Sequence, residues 1–338
     1  MQRTECVAVV GAGSWGTALA YLLGDKGTTV WLWGRNAVQM ATMARTRQNP
    51  RYLPDVHLPE TVHPTSDLEP LQQCQVIVLA VPSGALRSTM ERLPKTDAPC
   101  VIATKGLEPQ TGKLLTEVAQ EALGVPPEQV VVLSGPNLAV ELVRGIPTAT
   151  VASSVSTPTA ERIQELFMTP TLRVYTNDDV VGVELGGALK NVYAIGSGLS
   201  DGLGFGDNTK GTLLTRGLAE MMRFGVAMGA CPETFVGLTG VGDLFATAVS
   251  RLSRNYRLGR AVASGKTAEQ ALAELGQVAE GYPTALVAKR RAEALGVEMP
   301  LLSAIADILS GERAVQEALH SLMTRPPRDE REFRFVRR

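Results

Sequence analysis

Histidine is scarce in this sequence: His57, His63 and His320 are the only three. So few imidazoles argue against a histidine-rich metal centre. Cysteine is scarce as well. Cys6, Cys74, Cys100 and Cys231 lie far apart along the chain, with no Cys-x-x-Cys pair. They read as four reduced thiols that pack like small hydrophobes, and no metal is expected. An excess of charge is also missing: 33 Lys and Arg face 34 Asp and Glu, a net charge of -1. Without a basic field there is no electrostatic reason to expect nucleic acid or an anionic membrane as a partner. No apolar run reaches the roughly 20 residues that span a bilayer. A strand pattern starts at Cys6, which leaves no room for a signal peptide. The expectation is a soluble, cytoplasmic chain with no membrane span.

What is present is an ordinary globular balance, 44% hydrophobic and 20% charged over 338 residues. At roughly 150 residues per domain, that length predicts two domains, each with ample core. The first is announced by "CVAVVGAGSWGTALAYLLGDKGTTVWLWGR". Cys6–Val10 is a short apolar strand, Ser14 to Gly24 has helical periodicity, and Thr28–Trp33 is a second strand. Together they make a βαβ unit of the usual size. Gln75–Val81, Cys100–Gly106 and Val130–Pro136 are further apolar strands. Helical patterns around Gly84–Arg92 and Gly112–Leu123 lie between them. Continuous apolar strands alternating with helices imply a doubly wound parallel sheet covered on both faces. "TATVAS" and "LRVYT", with Thr157–Met168 helical between them, close the sheet.

After about Asn177 strand patterns stop. Helical segments follow at Val183–Leu199, Thr209–Met228, Val241–Thr247, Arg257–Ser264, Thr267–Leu275, Pro283–Leu295, Leu301–Leu309 and Glu312–Met323. The predicted division is a dinucleotide-binding Rossmann domain over 1–180, an all-α domain over 181–325 and a charged, flexible tail over 326–338.

Gly11, Gly13 and Gly16 form Gly-x-Gly-x-x-Gly between the first strand and the first helix. In that context the three glycines serve a tight turn, close approach to a pyrophosphate, and close helix–strand packing, with the helix N-terminus facing the phosphates. The second strand ends "WLWGRN", with Arg35 where NAD-specific folds place an acid. An arginine there suits a 2′-phosphate, so NADP(H) is expected in preference to NAD(H); the alternative is a solvated surface side chain. Trp15 either lies against the cofactor or packs into the core.

Ligands of such sheets bind beyond the carboxyl ends of the strands. Three polar sets fall there: Lys105 in "ATKGL", Ser134, Gly135 and Asn137 in "LSGPNLA", and Pro82, Ser83 and Gly84 in "VPSGA". Lys105 aims a cation at the crevice unless it is an ordinary loop lysine. A second lysine, Lys190, sits inside an apolar, glycine-rich helix. On its helical face lie Gly186, Gly187, Tyr193, Ala194, Ser197 and Gly198, nearly all small. Another body can therefore come close, either a neighbouring helix or a ligand. A lysine desolvated there can become an acid–base catalyst. Asp243 opens the next helix pattern, as an N-cap or as a partner for the lysine, with Thr247 on its face. Ser253, Arg254 and Asn255 offer a guanidinium with hydroxyl and amide neighbours, a set suited to phosphate. Arg251, Arg257 and Arg260 make that region basic.

Taken together, "GAGSWGTALA", "ATKGLE", "LSGPN-A-E", "ELGGALKNVYAIGSGLSDGLGFGDNTK", "TRGLAEM", "GLTGVGDL-AT", "SRN" and "VAEGYPTA" resemble the bacterial NAD(P)-dependent glycerol-3-phosphate dehydrogenases over nearly the whole chain. The block around Lys190 is far more specific to that family than the glycine loop. The resemblance implies a Rossmann domain joined to a helical domain like that of 6-phosphogluconate dehydrogenase, a homodimer, and reversible reduction of dihydroxyacetone phosphate to sn-glycerol 3-phosphate, which feeds phospholipid synthesis. It implies Lys190 as the acid–base residue, Asp243 as the group that orients it or relays its proton, and Lys105 as a contact to both cofactor and substrate. Gly135, Asn137, Ser253, Arg254 and Asn255 would line the substrate site. Ser14, Trp15, Arg35, Lys105, Ala139, Arg254, Val278 and Glu280 would touch the cofactor. Asn137 stands where the family usually has serine or threonine, and Ala279 where valine is usual. Two rivals stay open: a two-domain reductase of 2- or 3-hydroxy acids, and a non-catalytic NADP(H)-binding protein, which should lack a proton donor in its cleft.

Overall fold

The computed structural model describes residues 5–327, 329 and 330. Most of the expected tail, 326–338, lies outside these residues. The strands are β1 (Cys6–Val10), β2 (Thr29–Trp33), β3 (Gln48–Asn49), β4 (Leu53–His57), β5 (Val62–Thr65), β6 (Val76–Leu79), β7 (Cys100–Ile102), β8 (Val130–Ser134), β9 (Thr148–Ser153) and β10 (Leu172–Asn177). Eight of them form one sheet in the order β10-β9-β8-β7-β6-β1-β2-β5, and β3 pairs with β4 by itself. From β5 to β8 every neighbouring pair is parallel. This is the doubly wound order, with its topological switch between β1 and β6.

Both faces of the sheet are covered, which is why its strands read as unbroken apolar runs rather than alternating ones. In β1, Val7 and Val9 enter one core while Ala8 and Val10 enter the other. β9 and β10 do close the sheet, but β9 runs antiparallel to β8. The expected parallel direction rests on strand–helix alternation, and only the short Ala139–Val143 helix lies between β8 and β9, so that inference does not hold for this pair. The β3–β4 hairpin, β5 and the Ala37–Thr46 helix also went unread. Their residues are short, mixed and partly exposed.

Past β10 the chain is helical, as expected. Val180–Gly202 is its axis, and Asp207–Ala227, Asp243–Val249, Arg254–Ala263, Gly281–Ala294 and Pro300–Ser310 surround it. Leu185, Leu189, Val192, Ile195, Met221, Phe224, Phe235 and Leu302 belong to this second core. Burial runs unbroken from Gly182 to Ser200 because other elements enclose the axial helix. The Arg254–Ala263 helix crosses it at backbone contact. A Cβ on Gly198 would overlap the Tyr256 carbonyl, and one on Gly259 would overlap the carbonyl of Ile195. We expect Gly198→Ala to cost roughly 1–3 kcal/mol or more by overpacking, read as a lower denaturant midpoint at unchanged m-value.

Candidate active site

The glycine loop crosses the C-terminal end of β1 at the switch point, and Gly11 and Gly16 there each have a distinct steric reason. Gly11 has φ +122°, and a Cβ on it would stand 2.6 Å from the Ala80 carbonyl oxygen at the end of β6. A Cβ on Gly16 would overlap the Gly11 carbonyl, so the Ser14–Asp25 helix can start only this close to β1 without one. Gly13, the helix N-cap, has nothing within 4 Å of where a Cβ would be. That open cradle before a helix N-terminus fits a pyrophosphate. Ser14 donates from Oγ to the Tyr52 carbonyl at 3.3 Å. Trp15 shows something of both readings: its ring packs on the core, while its Nε1 is buried without a partner. Arg35, at the end of β2, is exposed and makes no ion pair among the described residues.

Beyond the ends of β7 and β8, two lysines converge on one carboxylate. Lys105 Nζ donates to Asp243 Oδ2 at 2.6 Å and to the Gly135 carbonyl at 2.7 Å. Lys190 Nζ donates to Asp243 Oδ1 at 2.8 Å and to Thr247 Oγ1 at 2.5 Å. Lys190 is 6% exposed and Asp243 1%. Burial pulls the Lys190 ammonium down to about 8; the nearby Lys105 and Arg254 charges push the same way and Asp243 opposes them. Burial alone would raise the Asp243 carboxyl, but the Lys105 and Lys190 cations outweigh it and hold it below its usual range. Asp243 therefore does not act as an N-cap: Gly242 holds that position, and the carboxylate serves the lysines. The arrangement keeps an acid of near-neutral strength at the cleft, fixed by two acceptors.

Arg254 starts the next helix and lies near Glu280 and Tyr52. Its guanidinium donates no hydrogen bond among the described residues, and burial lowers its pKa. Its donors are thus free for an anion. Its neighbours are more committed. Ser253 Oγ caps the helix by accepting from Tyr256 N–H at 3.2 Å, though its own proton stays available. Asn255 donates to Asn191 Oδ1 at 2.8 Å and accepts from the Gly281 N–H at 2.9 Å. It braces three helices, which leaves one N–H to offer. Asn137 donates to the Ala149 carbonyl at 2.9 Å, and its Oδ1 is buried without a partner. Gly135 packs against Thr150 and turns its carbonyl to Lys105. Ala139 opens the short Ala139–Val143 helix, and Val278 is 43% exposed.

Family models match the chain in two parts. One, described as the NAD-dependent glycerol-3-phosphate dehydrogenase N-terminus, covers residues 6–160; the other, its C-terminus, covers 179–320. A glycerol-3-phosphate dehydrogenase [NAD(P)+] of Thermoanaerobacter sp. (strain X514) is 47% identical over 96% of this chain and 98% of its own length. The chain belongs to the NAD-dependent glycerol-3-phosphate dehydrogenase family. A member from Geobacillus kaustophilus (strain HTA426) is 46% identical over 96% of each chain. The crystal structure of the Coxiella burnetii glycerol-3-phosphate dehydrogenase superposes with a TM-score of 0.91 at 38% identity, over 95% of this chain and 99% of that one. A D-mandelate dehydrogenase complex with NADH, at 13% identity and TM-score 0.60, shares the fold alone.

Around this site Glu184 and Tyr52 had no reading in the sequence, and Glu280 had one only as a cofactor contact. Glu280 was expected at the cofactor. Here it also accepts from Ser83 N–H at 3.0 Å and Ser83 Oγ at 2.6 Å, tying the Gly281–Ala294 helix to the end of β6. Burial raises its carboxyl above the usual range. Glu184 sits on the Lys190 helix and accepts from Leu115 N–H, Thr116 N–H and Thr116 Oγ1, so it ties that helix to the Leu115–Leu123 helix. Burial pushes it up to about 7. Its signal was the same as that of Lys190, a charge inside an apolar helix. Tyr52, close to both Ser14 and Arg254, sits in the unforeseen hairpin and gave no signal.

Of the two bodies expected beside the small residues around Lys190, the structure has protein there. Gly186 admits the Thr239 carbonyl, Gly187 admits Ser134 Oγ, and Gly198 admits the Arg254–Ala263 helix. Their clearance is filled by protein. These glycines set how closely other elements approach the Lys190 helix.

Among the described residues no helix is long and apolar enough to cross a membrane.

Proposed function

We propose that this chain catalyses the reversible, NAD(P)H-dependent reduction of dihydroxyacetone phosphate to sn-glycerol 3-phosphate, supplying glycerophospholipid synthesis. One observation carries the reading: a buried lysine, softened to about 8, held between Asp243 and Thr247 beside an arginine whose guanidinium bonds are unspent. When bound, the nicotinamide supplies the hydride. Gly13 and the helix N-terminus behind it would hold its pyrophosphate, and Arg35 its 2′-phosphate. Trp15, Ala139, Val278 and Glu280 would line the remainder of its path.

Protonated Lys190 donates its Nζ proton to the ketone oxygen as charge develops there, a contribution of about 10²–10⁴-fold for a positioned acid. Asp243 holds Lys190 and Lys105 in place, and Lys105 contacts substrate and cofactor. Arg254, with the Ser253 hydroxyl and the spare N–H of Asn255, anchors the phosphate and so sets the carbonyl within reach. Asn137 serves through the order it gives the β8 end. The reading divides the chain near residue 180, with the cofactor held by 1–180 and the acid by 181–325. It also carries a homodimer and a cytoplasmic location with it.

Loss of NADPH absorbance on adding dihydroxyacetone phosphate tests the proposal directly. Loss with a keto acid but none with dihydroxyacetone phosphate would sink it. The pH dependence has a sign. Reduction needs the ammonium form, so its kcat/KM should fall as pH rises through about 8, while oxidation of glycerol 3-phosphate should rise over the same interval. Arg35→Ala should lower kcat/KM for NADPH and leave NADH nearly unchanged. A charge-assisted hydrogen bond worth roughly 1.5–3 kcal/mol makes the expected loss about ten- to a hundredfold. Equal losses for both cofactors would remove Arg35 from the 2′-phosphate.

A further inference from the structure

Two thiols that are far apart in the sequence meet in the fold, at the end of the sheet opposite the glycine loop. Cys6 is the first residue of β1 and is half-buried. Cys74 is 4% exposed and stands two residues before β6, after a short turn of 3-10 helix at Glu69–Gln73. Both side chains belong to the same face of the sheet. Their Sγ atoms are 3.0 Å apart. The parallel pairing of Val7 with Val76 holds their backbones together, and the Cys6 N–H donates to Gln75 Oε1 at 2.8 Å. Covalent sulfurs stand about 2.05 Å apart, so bond formation needs only a side-chain movement of about 1 Å. Neither of the other thiols belongs to this pair: Cys100 is buried and Cys231 is exposed.

We propose that Cys6 and Cys74 are a built oxidation site that closes an intramolecular disulfide in response to a hydroperoxide. Cys6, the more open of the two, reacts first. Its thiolate takes the terminal peroxide oxygen, the O–O bond breaks, and an alcohol leaves after taking up a proton. The resulting sulfenic acid is attacked by the Cys74 sulfur. The S–S bond forms, the S–O bond breaks, and the oxygen leaves as water with the Cys74 proton. In sum, two thiols are oxidised to one disulfide and one hydroperoxide is reduced to an alcohol and water. The bridge would join β1 to the entry of β6, two neighbouring strands whose opposite ends grip the glycine loop through Gly11 and Ala80. It would close a loop between residues 68 apart in sequence, and closing a long loop restricts the unfolded chain.

The test is thiol counting on the whole protein after a short exposure to tert-butyl hydroperoxide. Alkylation under denaturing conditions should label two of the four cysteines instead of all four, with a peptide joining Cys6 to Cys74 and a monomeric chain on a non-reducing gel. Cys6→Ala and Cys74→Ala should each abolish the bridge, and Cys231→Ala should leave it intact. Thermal unfolding of the bridged form should move to higher temperature, with turnover unchanged. The proposal is overturned by labelling of all four thiols after exposure, by sulfinic acid on Cys6 with Cys74 still free, or by a bridge that needs Cys231. Since the readout is a mass and a labelling pattern, it stands or falls separately from the proposed dehydrogenase activity.

Discussion

Lys190→Met should lower kcat for dihydroxyacetone phosphate reduction by about 10²–10⁴-fold, the contribution of one positioned general acid, with a much smaller effect on KM. Methionine keeps the length and apolar stem of lysine, so the enclosed helix should remain packed. Asp243 is not stranded by the change, because Lys105 Nζ still donates to it at 2.6 Å. Arg254, the proposed phosphate anchor, starts another helix and keeps its place. The loss should therefore fall on the chemical step, with the limb near pH 8 absent from the residual activity. Retention of kcat within about tenfold of the parent would fall below that range and remove Lys190 from the proton transfer.

Asp243→Asn has the second-largest expected effect, and it appears in stability as well as in turnover. The carboxylate is the shared partner of two ammonium groups, both within 2.8 Å. An amide in its place leaves Lys105 and Lys190 facing each other with nothing to balance them. Breaking a buried pair by removing one partner costs roughly 3–5 kcal/mol. Urea unfolding at neutral pH should show that loss. Asp243 is also the group that opposes the fall in the Lys190 pKa, so its removal should shift the limb of the reduction profile to lower pH. Adding Lys190→Met to Asp243→Asn should recover part of the stability, since one of the two unbalanced cations disappears. An unchanged urea midpoint together with an unchanged pH limb would rule out the shared-carboxylate arrangement.

Much of this was legible beforehand because the relevant signals are local. Glycine spacing after an apolar strand points to a tight strand–helix junction whatever the remainder of the chain does, and Gly11 and Gly16 have the turn and packing roles their spacing suggested, while the space over Gly13 is open. Lys190 stood out because a charge within an apolar helix has to be paired somewhere. Asp243 and Thr247 were candidate partners on one helical face, but spacing could not decide between an N-cap and a partner, and the structure has both holding the same ammonium. Asn255 and Ser253 were read as free donors for the same reason: a polar side chain does not announce whether its hydrogen bonds are already used.

The sequence by itself determined the alternation of strands and helices, the Gly-x-Gly-x-x-Gly loop between the first strand and the first helix, the all-helical second half and the placing of a lysine inside an apolar helix, all of which depend on neighbours a few residues apart. Only the tertiary structure decided the antiparallel turn at β9, the filling of the space beside Gly186, Gly187 and Gly198 by protein, the sharing of Asp243 by two lysines, and the meeting of Cys6 with Cys74. Those depend on strand order and helix crossing. These bring together residues tens to over a hundred positions apart, where no periodicity along the chain can register the contact.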